Sequence, residues 1–501
     1  MSTNKFTFTW RCLLLLLKQP LKRGFIVRRL MRAHLLTNIC LGALNISARP
    51  AIIAPALALP QTSRQDTVIL NDEKPHLNIH GYLQFHVAQD TRQIAGLWAK
   101  GFLLAPQPYT PDHQGCDKSE QGQFTMVHTT SVFGCDSGPL KVGHARLTGK
   151  CYGNFLGLTA NAPSSLADLG HQKGHFTPGI FTISVVYANI DWPNASLRIG
   201  HDPHPFYPTQ APPLILSGNV GLPFVPAVLN PQIKFTYTHN GFFVNSAVYS
   251  QLLYTDVSEG DVDIVGIDFL DISPTFVYNS GLPALSLMAG YQSQQKHTLW
   301  LAANARRIRP ALSLEETHPS QNPHYVTSIQ GSIFGYLHTP QFDVAGQITG
   351  GDNGIDLISL GGYAVDKFNL HSSQKSYRNL RFVALWGNVN VPTKTFFSAG
   401  IFGGYARNLG SSKELYVDPA TKQPIVFEYP ITNLAWHLKD ITRASTYFRC
   451  NWNPMEVALE CEWTRARWGK KLDQYAVMIN NSTNCQAVTN LHIELVTKYT
   501  F

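Results

Sequence analysis

Residues 143–155 read GHARLTGKCYGNF, and small or apolar residues alternate there with polar ones without a break. Gly143, Ala145, Leu147, Gly149, Cys151, Gly153 and Phe155 fall on one side of an extended chain. His144, Arg146, Thr148, Lys150, Tyr152 and Asn154 fall on the other. A period of two marks a strand with one apolar and one wet face. Thirteen residues is long for such a run. Strands of globular domains usually hold five or six residues, whereas a tilted strand crossing a bilayer needs about 9–11.

The same rhythm opens near residue 76, where Leu77, Ile79, Gly81, Leu83, Phe85 and Val87 alternate with His80, Tyr82, Gln84 and His86. It predicts further strands over 181–190, 196–200, 233–238, 242–253, 263–269, 275–278, 285–292, 298–306, 332–338, 342–349, 357–364, 381–389, 395–407, 443–452 and 455–465. Turn residues such as His239-Asn240-Gly241 and Asn279-Ser280-Gly281 separate them. No long helical pattern competes. The last eleven residues, LHIELVTKYTF, alternate to the very end and finish on Phe501.

One hairpin yields a register. With a loop at 451–454, Cys450 faces Met455. Phe448–Val457, Thr446–Leu459 and Ala444–Cys461 then share one face. Arg449–Glu456, Ser445–Glu460 and Arg443–Glu462 share the other, so both faces are chemically consistent. This register separates Cys450 from Cys461 by about 20 Å of strand, beyond disulfide reach. Some fifteen to seventeen antiparallel strands must hide their edges, and in lipid only closure does so. The expected fold is therefore all-β, a transmembrane antiparallel barrel of about 16 strands (range 14–18). The terminal strand is expected to pair with the first. Tyr499 and Phe501 fit the aromatic ending that outer-membrane barrels present to their assembly machinery.

Composition narrows the class. Charged residues make up 14% of the 501, against roughly 25% in soluble domains. Past the N-terminal region no run reaches the ~18 apolar residues of a spanning helix. The net charge of +8 is local: residues 1–58 carry nine Lys/Arg and no acid, and the rest holds 31 bases against 32 acids. Nucleic-acid binding thus loses its electrostatic support. Residues 1–58 read as a targeting segment, with a basic cluster, a broken apolar run and Ala56-Leu57-Ala58 as a cleavage site; Met31 is an alternative start. Residues 59–75 read as a short periplasmic linker and 76–501 as the barrel. No CxxC occurs, so zinc and redox readings lack support. Cys116 and Cys135 flank one loop, and both the bridged and the free state stay open.

Several stretches resemble the DcaP-like porins and the related large porins of Bacteroidetes. They are GYLQFHVAQDTRQ in the first strand, FLLAPQP after it, LRIGHDPHPFYP, NPQIKFTY, and FRCNWNPMEVALECEWTRARWG near the end. The resemblance covers residues 80–501 in patches that follow the same order along the chain. It implies a 16-stranded, trimeric outer-membrane channel for small, often anionic, solutes. The heptads that open DcaP-like proteins are missing before residue 76, so no periplasmic stalk is expected.

Alternation assigns an inward face. His144, Arg146, Lys150, Arg198 and Lys234 are expected to line one wall of the pore. Arg443, Arg449, Glu456, Glu460, Glu462, Glu494 and Lys498 are expected on another. A basic wall facing a more acidic one would favour anions mildly; ordinary solvated lumen residues are the plainer reading. His201, Asp202 and His204 in HDPHPFYP have metal-ligand chemistry, but the three nearby prolines favour a turn, and GGDNGID at 350–356 also reads as a turn. No metal or cofactor is expected. The absence of G-x-S-x-G counts against a hydrolase. Three functions compete: a passive channel in outer-membrane lipid for small hydrophilic solutes, a barrel enzyme of lipase or protease type, and a structural or adhesive barrel using its long loops. The channel is the favoured reading, without enzymatic activity.

Overall fold

The computed structural model describes residues 76–97, 102–127, 131–156, 180–216, 221–250, 282–308, 325–369, 374–391, 396–427, 437–480 and 485–501. The expected targeting segment, the linker and the strands anticipated over 263–269 and 275–278 lie outside these residues.

Among the described residues, sixteen antiparallel strands close into one barrel. In chain order they are β1 (His76–Asp90), β2 (Gln123–Val127 and Val132–Val142, one interrupted strand), β3 (Ala145–Leu156), β4 (Ile180–Asp191), β5 (Ala195–Pro203) and β6 (Leu229–His239). Next come β7 (Phe242–Tyr249), β8 (Ala284–Gln292), β9 (Thr298–Ile308), β10 (Val326–His338) and β11 (Asp343–Asp352). The ring ends with β12 (Gln374–Val391), β13 (Phe397–Gly410), β14 (His437–Trp452), β15 (Met455–Gly469) and β16 (Cys485–Thr500). Each strand pairs with its sequence neighbour, and β16 returns to β1 with Tyr82 opposite Thr500 and Asp90 opposite His492. The terminal residue completes the seam: Gly81 and Phe501 exchange backbone N–H···O bonds of 3.0 Å in both directions. Gly81 has to be glycine, because a Cβ there would lie 2.4 Å from the Val132 carbonyl and 2.8 Å from the Phe501 ring.

The alternation has the physical cause inferred from sequence. Leu77, Ile79, Leu83, Leu285, Leu299, Ile333 and Ile401 stand 50–62% exposed on the outer face. Surface of that kind is tolerated in bulk only against hydrocarbon, so this is a transmembrane barrel. Short turns join strands at the end where the chain terminus lies. Asn240 and Gly241 form one, both at positive φ (48° and 82°), as a two-residue hairpin with right-handed twist requires. Outward aromatics gather at this end, with Phe242 4.9 Å from Tyr291 and Phe396 stacked on Trp452 at 6.1 Å. They form the interfacial girdle of a membrane barrel. The connections at the other end run from 15 to 34 residues.

Four expectations need correction. β2 escaped the sequence reading because Gly134, Gly138 and Pro139 break its alternation and a register shift falls between Ser137 and Leu140. Residues 357–364 do not form a barrel strand. A 3-10 turn spans Gly354–Leu357, and Gly362–Asn369 pairs with the loop-side extension of β12 and with Val426–Phe427 in the loop after β13, not with a barrel strand. His144 sits exposed in the turn between β2 and β3 rather than on the inner wall. The β14–β15 turn uses only Asn453 and Pro454, so Trp452 faces Met455 and Cys450 faces Val457. That two-residue shift preserves every face, because side chains repeat every two residues. It turns the expected opposed ion pairs into diagonal ones: Arg443–Glu462 at 3.0 Å and Arg449–Glu456 at 3.5 Å.

Candidate functional site

The lumen is asymmetric. Inward positions of β9 and of β12–β16 are nearly all buried, and many are apolar: Trp300, Phe382, Trp386, Phe402 and Trp468 are at most 3% exposed. What packs on them is the chain itself. After β5, residues 204–216 and 221–228 lie inside the barrel instead of away from it. Gln347 on β11 donates to the Phe206 carbonyl (2.8 Å). Arg443 on β14 donates to the Leu222 carbonyl (2.6 Å), and the Leu216 N–H donates to Glu460 on β15 (2.7 Å). Phe224 lies against Gly404, where a Cβ would come within 2.4 Å of its ring. The same ring contacts Phe402 at 6.2 Å and the Arg443 guanidinium at 5.3 Å. The missing side chain at Gly404 is thus a recess that seats Phe224. The loop after β1 reaches the same wall, with Trp468 donating to the Pro106 carbonyl (2.9 Å).

The accessible inward side chains gather on another wall, β2–β6. Lys150, Arg198 and Lys234 keep 15–20% side-chain exposure, and Arg146 is exposed near the turn end. They do not stand alone. Asp202 takes both Arg198 and Lys234 at 2.8 Å, and Asp136 lies 3.8 Å from Lys150. Asp191 is opposite Arg146 in the β3–β4 ladder. Four cations are interleaved with three carboxylates. The Arg198 guanidinium also stacks on Tyr187, 4.1 Å from its centroid.

The residues expected on the second wall are on the inner face but under cover. Arg443, Arg449, Glu456, Glu460, Glu462, Glu494 and Lys498 are 0–4% exposed. They pair with one another, with the inner segment, or across the seam. There His86 Nδ1 is 2.6 Å from Glu494, and His492 bridges Asp90 (3.0 Å) and Glu494 (3.4 Å). A basic wall facing an acidic one across water is therefore not what is built. One polar, part-exposed strip faces a covered and internally neutralised wall. Tyr499 and Phe501 point outward, 43% and 47% exposed, and Phe501 lies 6.2 Å from Phe133.

Solved structures share this architecture. The outer-membrane channel DcaP of Acinetobacter baumannii superposes with a TM-score of 0.56 at 12% identity, over 85% of this chain and 97% of that one. A trimer form of OmpT, an outer-membrane protein of Vibrio cholerae, gives 0.46 at 9% identity over 86% and 100%. An anion-selective porin from Comamonas acidovorans gives 0.45 at 8% over 85% and 100%. No protein-family model matches the sequence, and no curated protein does. At these identities DcaP supports the barrel fold, and the other two are too distant to argue from.

The residues that sequence reasoning missed were the partners. Asp136, Asp191 and Asp202 each sat in plain view, but their positions opposite the bases depend on pairing between strands. The inner segment carried a usable signal, the apolar run PLILSGNVGLPFVPAVL in a connection between strands. The candidate metal trio does not converge. Asp202 serves the two bases, and His201 is 2.6 Å from the Ser184 carbonyl. His204 lies between Tyr249 (2.9 Å) and the Phe206 N–H (3.0 Å). At 350–356, Asn353 adopts a left-handed conformation (φ 45°) and caps the Ile355 N–H. It makes a turn.

Proposed function

We propose that the protein is an integral outer-membrane porin through which small hydrophilic solutes diffuse passively. The observation that carries this reading is a closed barrel with an apolar outer face and a part-exposed polar strip on one inner wall. The aqueous path runs along that strip, past Lys150, Arg198 and Lys234, and residues 204–216 and 221–228 narrow it from the other side. Interleaved charges of both signs suit a general path, and the small cationic excess leaves a mild anion preference. No enzymatic activity belongs to this reading. Removal of residues 1–58 on export, delivery by the barrel-assembly machinery through Tyr499 and Phe501, and a homotrimeric state complete it.

Planar-bilayer recording of the purified, folded protein tests it. Stepwise conductance is expected, with a reversal potential on the anion side in a salt gradient. Arg146→Glu with Arg198→Glu should move that potential toward cations. A folded barrel that gives no steps would refute the channel, and an unmoved potential would remove the strip from selectivity.

A further inference from the structure

The charges on the outside of the barrel are not spread evenly. Among the described residues, no Lys, Arg, Asp or Glu occupies an outward strand position on β1–β8. On β12–β15, even-numbered Phe382, Ala406, Ala466 and Trp468 face inward, at most 1% exposed. Arg381, Arg407, Arg465 and Arg467 therefore point out. The ladders bring them to one place. Arg407 is opposite Asp440, which is opposite Arg467; two residues nearer the turn end, Tyr405 is opposite Thr442, which is opposite Arg465. Strands lie about 4.8 Å apart and rise about 3.3 Å per residue, so Arg407 and Arg467 are anchored roughly 10 Å apart, with Arg465 about 7 Å below Arg467.

We propose that this outward arginine cluster binds the phosphate groups of a lipid in the outer leaflet. Below it the same face is apolar, with Leu385, Val389, Ile401 and Phe448 at 40–62% exposure and Trp463 at 41% beside Arg465. Trp at that level marks the edge of the hydrocarbon, so acyl chains would lie on the apolar face and the headgroup would reach the arginines. Guanidinium is the side chain best matched to phosphate, through paired N–H donors. The acids nearby leave it available. Asp440 is gripped by Arg467 alone, through Nε (2.7 Å) and Nη2. Asp352, opposite Arg381 in its ladder, takes the Ile329 N–H (3.4 Å). No described carboxylate forms an ion pair with Arg381, Arg407 or Arg465, all exposed. Arg307, elsewhere on the outside, is stacked on Tyr325 at 3.6 Å. A general interfacial belt would put such residues around the whole rim. This one is confined to a few adjacent strands.

Native mass spectrometry of the full mature protein in detergent tests the site, using diphosphorylated lipid A, the same lipid dephosphorylated, and inorganic phosphate as probes. Lipid A should bind at least tenfold more tightly than its dephosphorylated form. Arg407→Gln with Arg465→Gln should abolish that difference, Arg307→Gln should leave it intact, and Asp440→Asn, which frees Arg467, should strengthen binding. Heat-modifiable gel migration checks that each variant is folded, and Asp440→Asn serves as the test if the double variant is not. Equal binding of the two lipids, an unaffected double variant, weakened binding in Asp440→Asn, or complete displacement of lipid A by inorganic phosphate would each overturn the proposal. The conductance experiment is independent, since these residues lie outside the lumen.

Discussion

At the scale of single residues, His204 shows how the inner segment is held. Its Nδ1 accepts the Phe206 N–H, so the ring proton sits on Nε2 and faces the Tyr249 hydroxyl. Burial, and then the nearby Arg306 guanidinium, push its pKa down from the ordinary 6.5 to about 3. Between those values the unfolded chain binds a proton that the native state refuses. The contribution of His204 to stability is therefore full above about pH 6.5, falls by about 1.4 kcal/mol per unit as the pH drops, and stops falling near pH 3. The thermal midpoint of the wild type is expected to fall more between pH 7 and pH 4 than that of His204→Gln. Parallel pH profiles for the two proteins would show that this histidine does not anchor the segment.

At the scale of elements, register decides what meets what, and the outward cysteines report on it. Cys135 on β2 is directly opposite Cys151 on β3, and both are free thiols. Opposed residues of an antiparallel pair have Cα atoms about 4.5–5.5 Å apart, within disulfide range. Cys461 instead faces Thr446, four residues from Cys450, or about 13 Å along the strand. Treating the detergent-solubilised protein with diamide should link Cys135 to Cys151 within one chain and leave Cys450 and Cys461 unlinked, as read by peptide mass mapping. A Cys116–Cys135 link, which sequence alone leaves open, would contradict the β1–β2–β3 register.

At the scale of the whole molecule, the seam between β1 and β16 turns a sheet into a cylinder. The final residue makes two backbone bonds to Gly81, and the polar chain through Asp90, His492, Glu494 and His86 ties the same strands inside. An unpaired edge in lipid would leave backbone groups without partners. Deleting Phe501 should therefore sharply lower the fraction of protein that migrates as a heat-modifiable barrel, and Gly81→Val should do the same. Wild-type folding yield from the deletion would show that closure does not depend on the last residue.

Much of this was legible in the chain itself. The outer face was read correctly wherever two residues per repeat held, because lipid imposes one chemistry on every second side chain and that rule is local. The same rule kept the faces of Arg443, Arg449, Glu456 and Glu460 right although their opposed partners were two residues out. β2 was lost because Gly134, Gly138 and Pro139 blur a signal that only its neighbours β1 and β3 restore. Alternation separates inside from outside, but it does not say whether the inside is wet. That was decided by the packing of residues 204–216 and 221–228 on the inner wall and by the meeting of Asp202 with Arg198 and Lys234. Both depend on contacts between residues distant in sequence, and two-residue periodicity carries no record of them.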